Sequence, residues 1–226
     1  MIISKGKIRL IRLRREDIEL VRQWRNSPAI NRYMEYRGYI SREQQEEWYE
    51  SVNNDTNLYF IIEHEYKKIG MINARDINWE EKSCESGVFY WDEGVYNTPV
   101  PIMVAMILSE TFVEIFEMKV YARILRSNKR AIRYNTFMGF RLCEGQENVE
   151  NQLYYLDRES YLKKAGKVRQ AFYLLIERAP VRLLLEPRDY ETGIAGYVEN
   201  FLEANTISEV VIKPGGKEYV FRDSFD

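Results

Sequence analysis

Histidine is nearly absent: His64 is the only one in 226 residues. Catalysis built on several imidazoles, as a relay or as a set of metal ligands, is therefore excluded. Cysteine is almost as scarce. Cys84 and Cys143 lack metal-ligand spacing and are too few for a disulfide framework, which fits a reduced, cytoplasmic protein. No N-terminal apolar run has the form of a leader, and no stretch approaches the length of a membrane span, so no membrane partner is expected. Charge of either sign is not in excess. The net charge is −2 with Lys and Arg spread along the chain, which argues against a nucleic-acid-binding protein.

What is present is apolar material. Hydrophobic residues make up 45% of the chain and aromatics 14%, enough to bury a sizeable core in one large domain, or in one domain plus an appendage. No internal repeat or low-complexity segment is visible.

Residues 119–140, KVYARILRSNKRAIRYNTFMGF, are the stretch that organises the rest. Val120, Ala122 and Ile124 alternate with Tyr121 and Arg123 as in a half-buried strand. Ser127 or Asn128 caps a helix with Ala131, Asn135 and Met138 on one stripe, and Gly139 stops it. Phe140 and Leu142 restart a strand. Upstream, Ile8–Leu13 reads as a strand and Arg15–Trp24 as a helix. Ser41 and Gln44 have capping-box form and open a helix to about Val52. Leu58–Glu63 and Lys68–Ala74 form a hairpin with His64 in its exposed turn. Ser83–Trp91 is another strand, Pro101–Phe116 a long apolar helix, and residues 150–157 a further strand. Then come a helical pattern over Glu159–Arg178, interrupted at Gly166 and with Phe172, Leu175 and Ile176 as an apolar patch, and a strand over Val181–Leu185. Thr192–Ala204 reads as a helix, and Val210–Ile212 with Tyr219–Phe221 as a hairpin around Lys213–Lys217.

The order strand, Asn-x-x-Ala helix, Gly-Phe, strand resembles the coenzyme-binding core of the GNAT N-acetyltransferases. Asn128, Ala131, Gly139 and Phe140 fall at that family's spacing, and Asn135 stands where the family has a tyrosine. Ile69-Gly70-x-Ile72 and Glu85-x-Gly87 match two of its strands. Asp17, Trp24, Arg25, Asn26, Ser41 and Trp48 match the opening of a subgroup that includes ribosomal-protein N-terminal and amino-sugar acetyltransferases, the pseudaminic-acid pathway among the latter. The run Asp76–Trp79 adds to the amino-sugar likeness. The resemblance implies an α/β fold over residues 1–162, with a mixed, twisted sheet of about seven strands and helices on both faces. Residues 163–226 would be a small C-terminal α/β appendage packed on it, of no recognised family. Strands 83–91 and 119–126 would be parallel neighbours.

The resemblance also implies chemistry: transfer from acetyl-coenzyme A, with no metal, to a small-molecule primary amine such as that of an amino sugar or its nucleotide. The alternatives are a protein N-terminal amine, or a binding module that has lost the coenzyme. It leaves room for a homodimer. Backbone of Gly87, Val88, Phe89, Tyr90 and Trp91 would hold the pantetheine like an added strand. The pyrophosphate loop departs from the family's glycine-rich form, because Tyr96–Pro101 has two prolines that lack N–H donors and no glycine. A helix N-terminus persists there, with Thr98 as cap and the N–H groups of Val100 and Ile102 turned to the phosphates. Arg126, Lys129 and Arg130 could add charge. Asn128 either contacts the coenzyme or caps its helix. Glu85 is the family-equivalent carboxylate, a general base or an ion-paired strand residue, with Glu35 and Asp76 as fallbacks. Asn135 is an amide and cannot protonate a departing thiolate, and Tyr134 is turned about 100° away around the helix. Trp24, Asn26, Tyr33, Tyr36, Tyr39 and Trp79 would rim the acceptor, core packing being the alternative for each.

Overall fold

The computed structural model describes residues 1–172, 179–202 and 206–222. Its first hairpin joins β1 (Ile2–Lys5) to β2 (Ile8–Arg12), with Ile3 opposite Leu10. A 3-10 turn at Arg15–Asp17 leads into α1 (Ile18–Arg25), then α2 (Pro28–Asn31), which takes its proline in the first turn. α3 (Arg42–Val52) opens on the capping box: Gln44 N–H donates to Ser41 Oγ at 3.2 Å, and Ser41 N–H donates to Gln44 Oε1 at 2.8 Å. β3 (Leu58–His64) and β4 (Lys67–Asn78) turn through Glu65 and Tyr66, both at positive φ as a tight hairpin turn requires. β5 (Ser83–Tyr90) runs back along β4. Gly70 allows that pairing, since a Cβ there would stand 2.5 Å from the Phe89 carbonyl oxygen.

α4 (Val100–Ser109) continues into a π-helical turn over Glu110–Ile115, so the long apolar helix is two contiguous pieces. β6 (Lys119–Leu125) and α5 (Lys129–Met138) follow. Gly139, at φ 104°, turns the chain so that Phe140 N–H reaches back to the Asn135 carbonyl at 3.0 Å. After β7 (Arg141–Leu142) and β8 (Asn151–Leu156), α6 (Arg158–Phe172) runs unbroken through Gly166 and across position 162/163, the expected start of the appendage. Leu175, Ile176 and Ala204 lie outside the described residues, as does the side chain of Phe172. β9 (Arg182–Leu185), α7 (Pro187–Glu191), α8 (Ile194–Phe201), β10 (Ile207–Lys213) and β11 (Gly216–Phe221) complete the chain.

All eleven strands of the described residues join one sheet in the order β10-β11-β9-β1-β2-β3-β4-β5-β6-β8-β7. Only the β5–β6 pair is parallel. The first 162 residues thus hold eight strands rather than about seven, and the C-terminal segment extends the sheet instead of packing on it, because β9 pairs with the outer edge of β1. Alternation along the strands gives the sheet two apolar faces. One carries Ile61, Met71 and Trp91 beneath α1 and α3, with Val21 and Tyr49. The other carries Phe60, Ile62, Ile72, Tyr90, Val120 and Ile124 against α4, with Val104 and Phe112. A buried charge cluster fastens the extension. The Met1 ammonium pairs with Glu186 at 2.8 Å and with Asp189, and Arg12 donates to Asp189 at 2.8 Å, where Asp189 is wholly inaccessible. Each charge there has a partner, the condition on which buried charge is tolerated.

Candidate active site

β5 and β6 run together only where Ser83–Glu85 face Lys119–Tyr121. Beyond Glu85 they part. From Ser86 to Tyr90, β5 bonds only β4, and from Ala122 to Leu125, β6 bonds only β8. Two facing strand edges are left open, and a cleft of about 1150 Å³ lies between them, lined from both faces of the sheet. Such an edge can take an extended ligand as an added strand. Gly87, Val88, Phe89, Tyr90 and Trp91 all line it. Every second donor among them faces β4 and is not free, however, which leaves Val88 and Tyr90 on the open edge. Gly87 N–H goes to Asn73 Oδ1 at 2.9 Å, and Trp91 N–H to the Ile69 carbonyl at 3.0 Å.

At one end of the cleft stands the start of α4. Thr98 Oγ1 accepts from Val100 N–H at 3.3 Å, as a cap should, and donates to the Val95 carbonyl at 2.7 Å. Ile102 and Met103 N–H both bond the Pro99 carbonyl, at 3.1 and 3.0 Å. Pro99 and Pro101 have no N–H. The expectation that Val100 and Ile102 offer outward donors is therefore wrong: each is satisfied locally, by a hydroxyl and by a tight first turn. Arg130 lies over the Tyr96 ring, 3.8 Å from its centroid, and brings a cation to this end. Asn128 resolves as a cap, its Oδ1 accepting from Ala131 N–H at 3.1 Å, while the residue still lines the cleft. Asn135 also lines it, with Nδ2 on the Ala131 carbonyl at 2.9 Å. Tyr134 reaches the cleft wall as well, but its hydroxyl donates to the Pro101 carbonyl at 2.6 Å and ties α5 to α4. Burial holds that phenol well above its ordinary pKa.

Glu85 sits at the vertex, on the α1–α3 side. Arg75 from β4 pairs with its Oε1 and Arg123 from β6 donates to Oε2 at 3.1 Å, leaving the carboxylate 15% exposed. Both readings of Glu85 thus meet in one residue, which is ion-paired and lines the cleft. Of the fallbacks, Glu35 lines the cleft, whereas Asp76 points to solvent, 69% exposed.

The acceptor rim divides. Trp24 lines the cleft and stacks on Trp91 with centroids 6.2 Å apart, and the exposed Tyr33 and Tyr36 line it too. Asn26 does not contribute: its amide bonds both Ile40 carbonyl and Ile40 N–H at 2.9 Å, closing the loop after α1. Trp79 is buried elsewhere, stacked on Tyr197 of α8 at 5.3 Å with its indole N–H on the Asp55 carbonyl. Tyr39 accepts from Arg22 and is not in the lining. Missed were Arg25, Tyr59, Arg75 and Arg123, all in the lining. Arg75 could have been found from hairpin register, since it faces Glu85 directly.

Among the described residues, no group of three or more His, Cys, Asp or Glu could hold a metal, and no helix is long and apolar enough to cross a membrane. Residues 7–141 match the family model for the acetyltransferase (GNAT) domain. Acetyltransferase PseH of Campylobacter jejuni strain 81-176 is 33% identical over 78 residues, 34% of this chain, which spans about half of that relative's length (48%). Three solved structures share the fold. Vibrio cholerae spermidine N-acetyltransferase, solved with CoA and spermine, superposes with a TM-score of 0.57 at 20% identity over 69% of this chain and 98% of that one. Campylobacter jejuni PseH gives 0.51 at 21% identity over 68% and 99%. A putative acetyltransferase from T. thermophilus gives 0.62 at 13% identity over 76% and 97%. With the parallel pair that parts at Glu85, the Asn128-capped helix and the Gly139-Phe140 stop lying within the matched span, the chain belongs to the GNAT acetyltransferase family.

Proposed function

We propose that the chain transfers an acetyl group from acetyl-coenzyme A to the primary amine of a small molecule, an amino sugar or its nucleotide, in the cytoplasm. The parting of β5 and β6 with Glu85 at the vertex carries this reading. Pantetheine is an extended chain of amides and fits the open strand edges. A pyrophosphate does not fit the start of α4 in the same way, since its amides are occupied or replaced by proline. Charge near that end would come from Arg130 instead. The amine approaches beside Glu85, each of whose oxygens carries one guanidinium and keeps a lone pair to take the ammonium proton directly or through water. Asn135 replaces the acidic hydroxyl, so solvent returns a proton to the departing sulfur. The amino-sugar class rests on the likeness of Trp24–Asn26 and Asp76–Trp79 and on the partial match to PseH.

One observation favours a second reading. A helix start with no free donor is what a module that has lost its coenzyme would show. Titration calorimetry with acetyl-coenzyme A separates the two. Micromolar binding, with thiol release on adding an amino sugar or its nucleotide, supports the transferase. No heat at millimolar coenzyme supports the module. Thiol release with peptide amines alone would move the acceptor to a protein N-terminus.

A further inference from the structure

Five arginines line the cleft, and four have something to hold. Arg75 and Arg123 grip Glu85, Arg130 covers Tyr96, and Arg32 lies 4.7 Å from the Tyr33 ring centroid. Arg25 makes no hydrogen bond and no ion pair among the described residues, and its Nε is buried without a partner. Burial pushes this guanidinium below its ordinary pKa, and the groups acting on it electrostatically are the phenols of Tyr59 and Tyr36. The Tyr59 hydroxyl is itself without a hydrogen-bond partner among the described residues, and it lies near Glu85 as well as Arg25. A desolvated charge without a counter-ion is costly, and proteins hold such groups where a ligand completes them. Position at the C-terminal end of α1 offsets part of that cost but supplies no partner.

We propose that Arg25 binds an oxyanion, a phosphate or a carboxylate, carried by the acceptor on the Tyr36–Tyr59 side of Glu85. Naming the ligand an acceptor rests on the transferase reading, whereas the oxyanion site does not. A guanidinium presents a planar fork to such a group, and Tyr59 can add a donor. Polycationic amines, whose charge would meet Arg25 and Arg32, are disfavoured.

The test uses the full chain with ¹⁵N-labelled arginine. The Arg25 Nε–H signal is assigned by its loss in Arg25→Lys. Uridine diphosphate, glucuronate and spermidine are added in turn, with coenzyme A in excess so that any donor site is filled. The expected result is a saturable shift of that signal with uridine diphosphate, if phosphate is the source, or with glucuronate, if carboxylate is. Affinity should weaken by about 10- to 100-fold in Arg25→Gln and less in Arg25→Lys, both with the wild-type melting profile. The proposal is overturned if neither anion moves the signal, if Arg25→Gln binds like the wild type, or if spermidine is bound as well as the anions. Oxyanion binding without thiol release for any amine would overturn the transferase reading alone.

Discussion

Glu85 carries one guanidinium on each carboxylate oxygen, and the two come from different strands, Arg75 beside it and Arg123 across the vertex. Charge removal and loss of the ion pair can be separated on that account. Glu85→Gln should lower turnover by about 10²–10⁴-fold with coenzyme affinity unchanged, and the deficit should shrink as pH rises. Arg123→Gln breaks the exposed arm of the same pair, worth at most about 1 kcal/mol, and should keep most activity in the same thiol-release assay. Equal effects of the two substitutions would mark Glu85 as structural. Cys84, next to it on the opposite face, has its thiol pushed up to about 12 by burial. At pH 8 a thiol reagent should therefore modify Cys143 alone in the native protein and both cysteines in urea. At this scale the sequence was informative where a residue's role follows from local spacing, as for Asn128, Ser41 and Gly139. It was not where a contact comes from afar: Trp79 turned from rim to core because α8, over a hundred residues on, stacks against it.

The first turn of α4 departs from the glycine-rich form that the resemblance implies. Pro101 is the second residue of the helix, a position whose amide would have no intrahelical partner. Pro101→Ala should restore one outward donor without disturbing the carbonyl that Tyr134 and Tyr90 hold. If coenzyme phosphate sits there, calorimetry should show binding tightened by up to about 1.5–3 kcal/mol, a charge-assisted hydrogen bond. Unchanged affinity in a variant with an unaltered melting curve would place the phosphates elsewhere. The prolines and the missing glycines were plain in the sequence. That Val100 and Ile102 were also committed was not, because the partners of an N–H depend on how tightly the turn closes.

For the whole molecule, the extension is part of the sheet. β1 lies between β2 and β9, so both its edges are paired. The strands from β2 to β8, the β3–β4 hairpin and the parallel β5–β6 neighbours followed from periodicity and resemblance. The β1–β9 pairing did not, since a four-residue strand ending in lysine gives little period-2 signal and its partner is remote. Asp189→Asn would leave Arg12 and the Met1 ammonium buried beside a neutral amide. A loss of about 3–5 kcal/mol is expected, lowering Tm by about 6–20 °C in thermal denaturation. Glu186 is opposed by burial, yet the hydrogen bond and charge of the Met1 ammonium, with Arg14 and Arg188, hold its carboxyl below the usual range. A carboxyl depressed in the folded state stabilises above its unfolded pKa, and that share is lost as pH falls through the folded value. Tm of the wild type should thus fall more steeply on acidification than that of Glu186→Gln, and parallel curves would refute the assignment.

Ile3 pairs with Leu183, 180 positions along the chain. During synthesis at about 5–20 residues per second, the outer edge of β1 waits roughly 10–40 s for its partner to be made. Late in that interval, once β8 is made, the nascent chain displays an unpaired strand edge in line with a nearly finished sheet, the geometry that invites a second nascent chain to add on. Ribosomes crowded on one message would bring such edges together, and soluble yield should then depend on how fast the last sixty residues are translated.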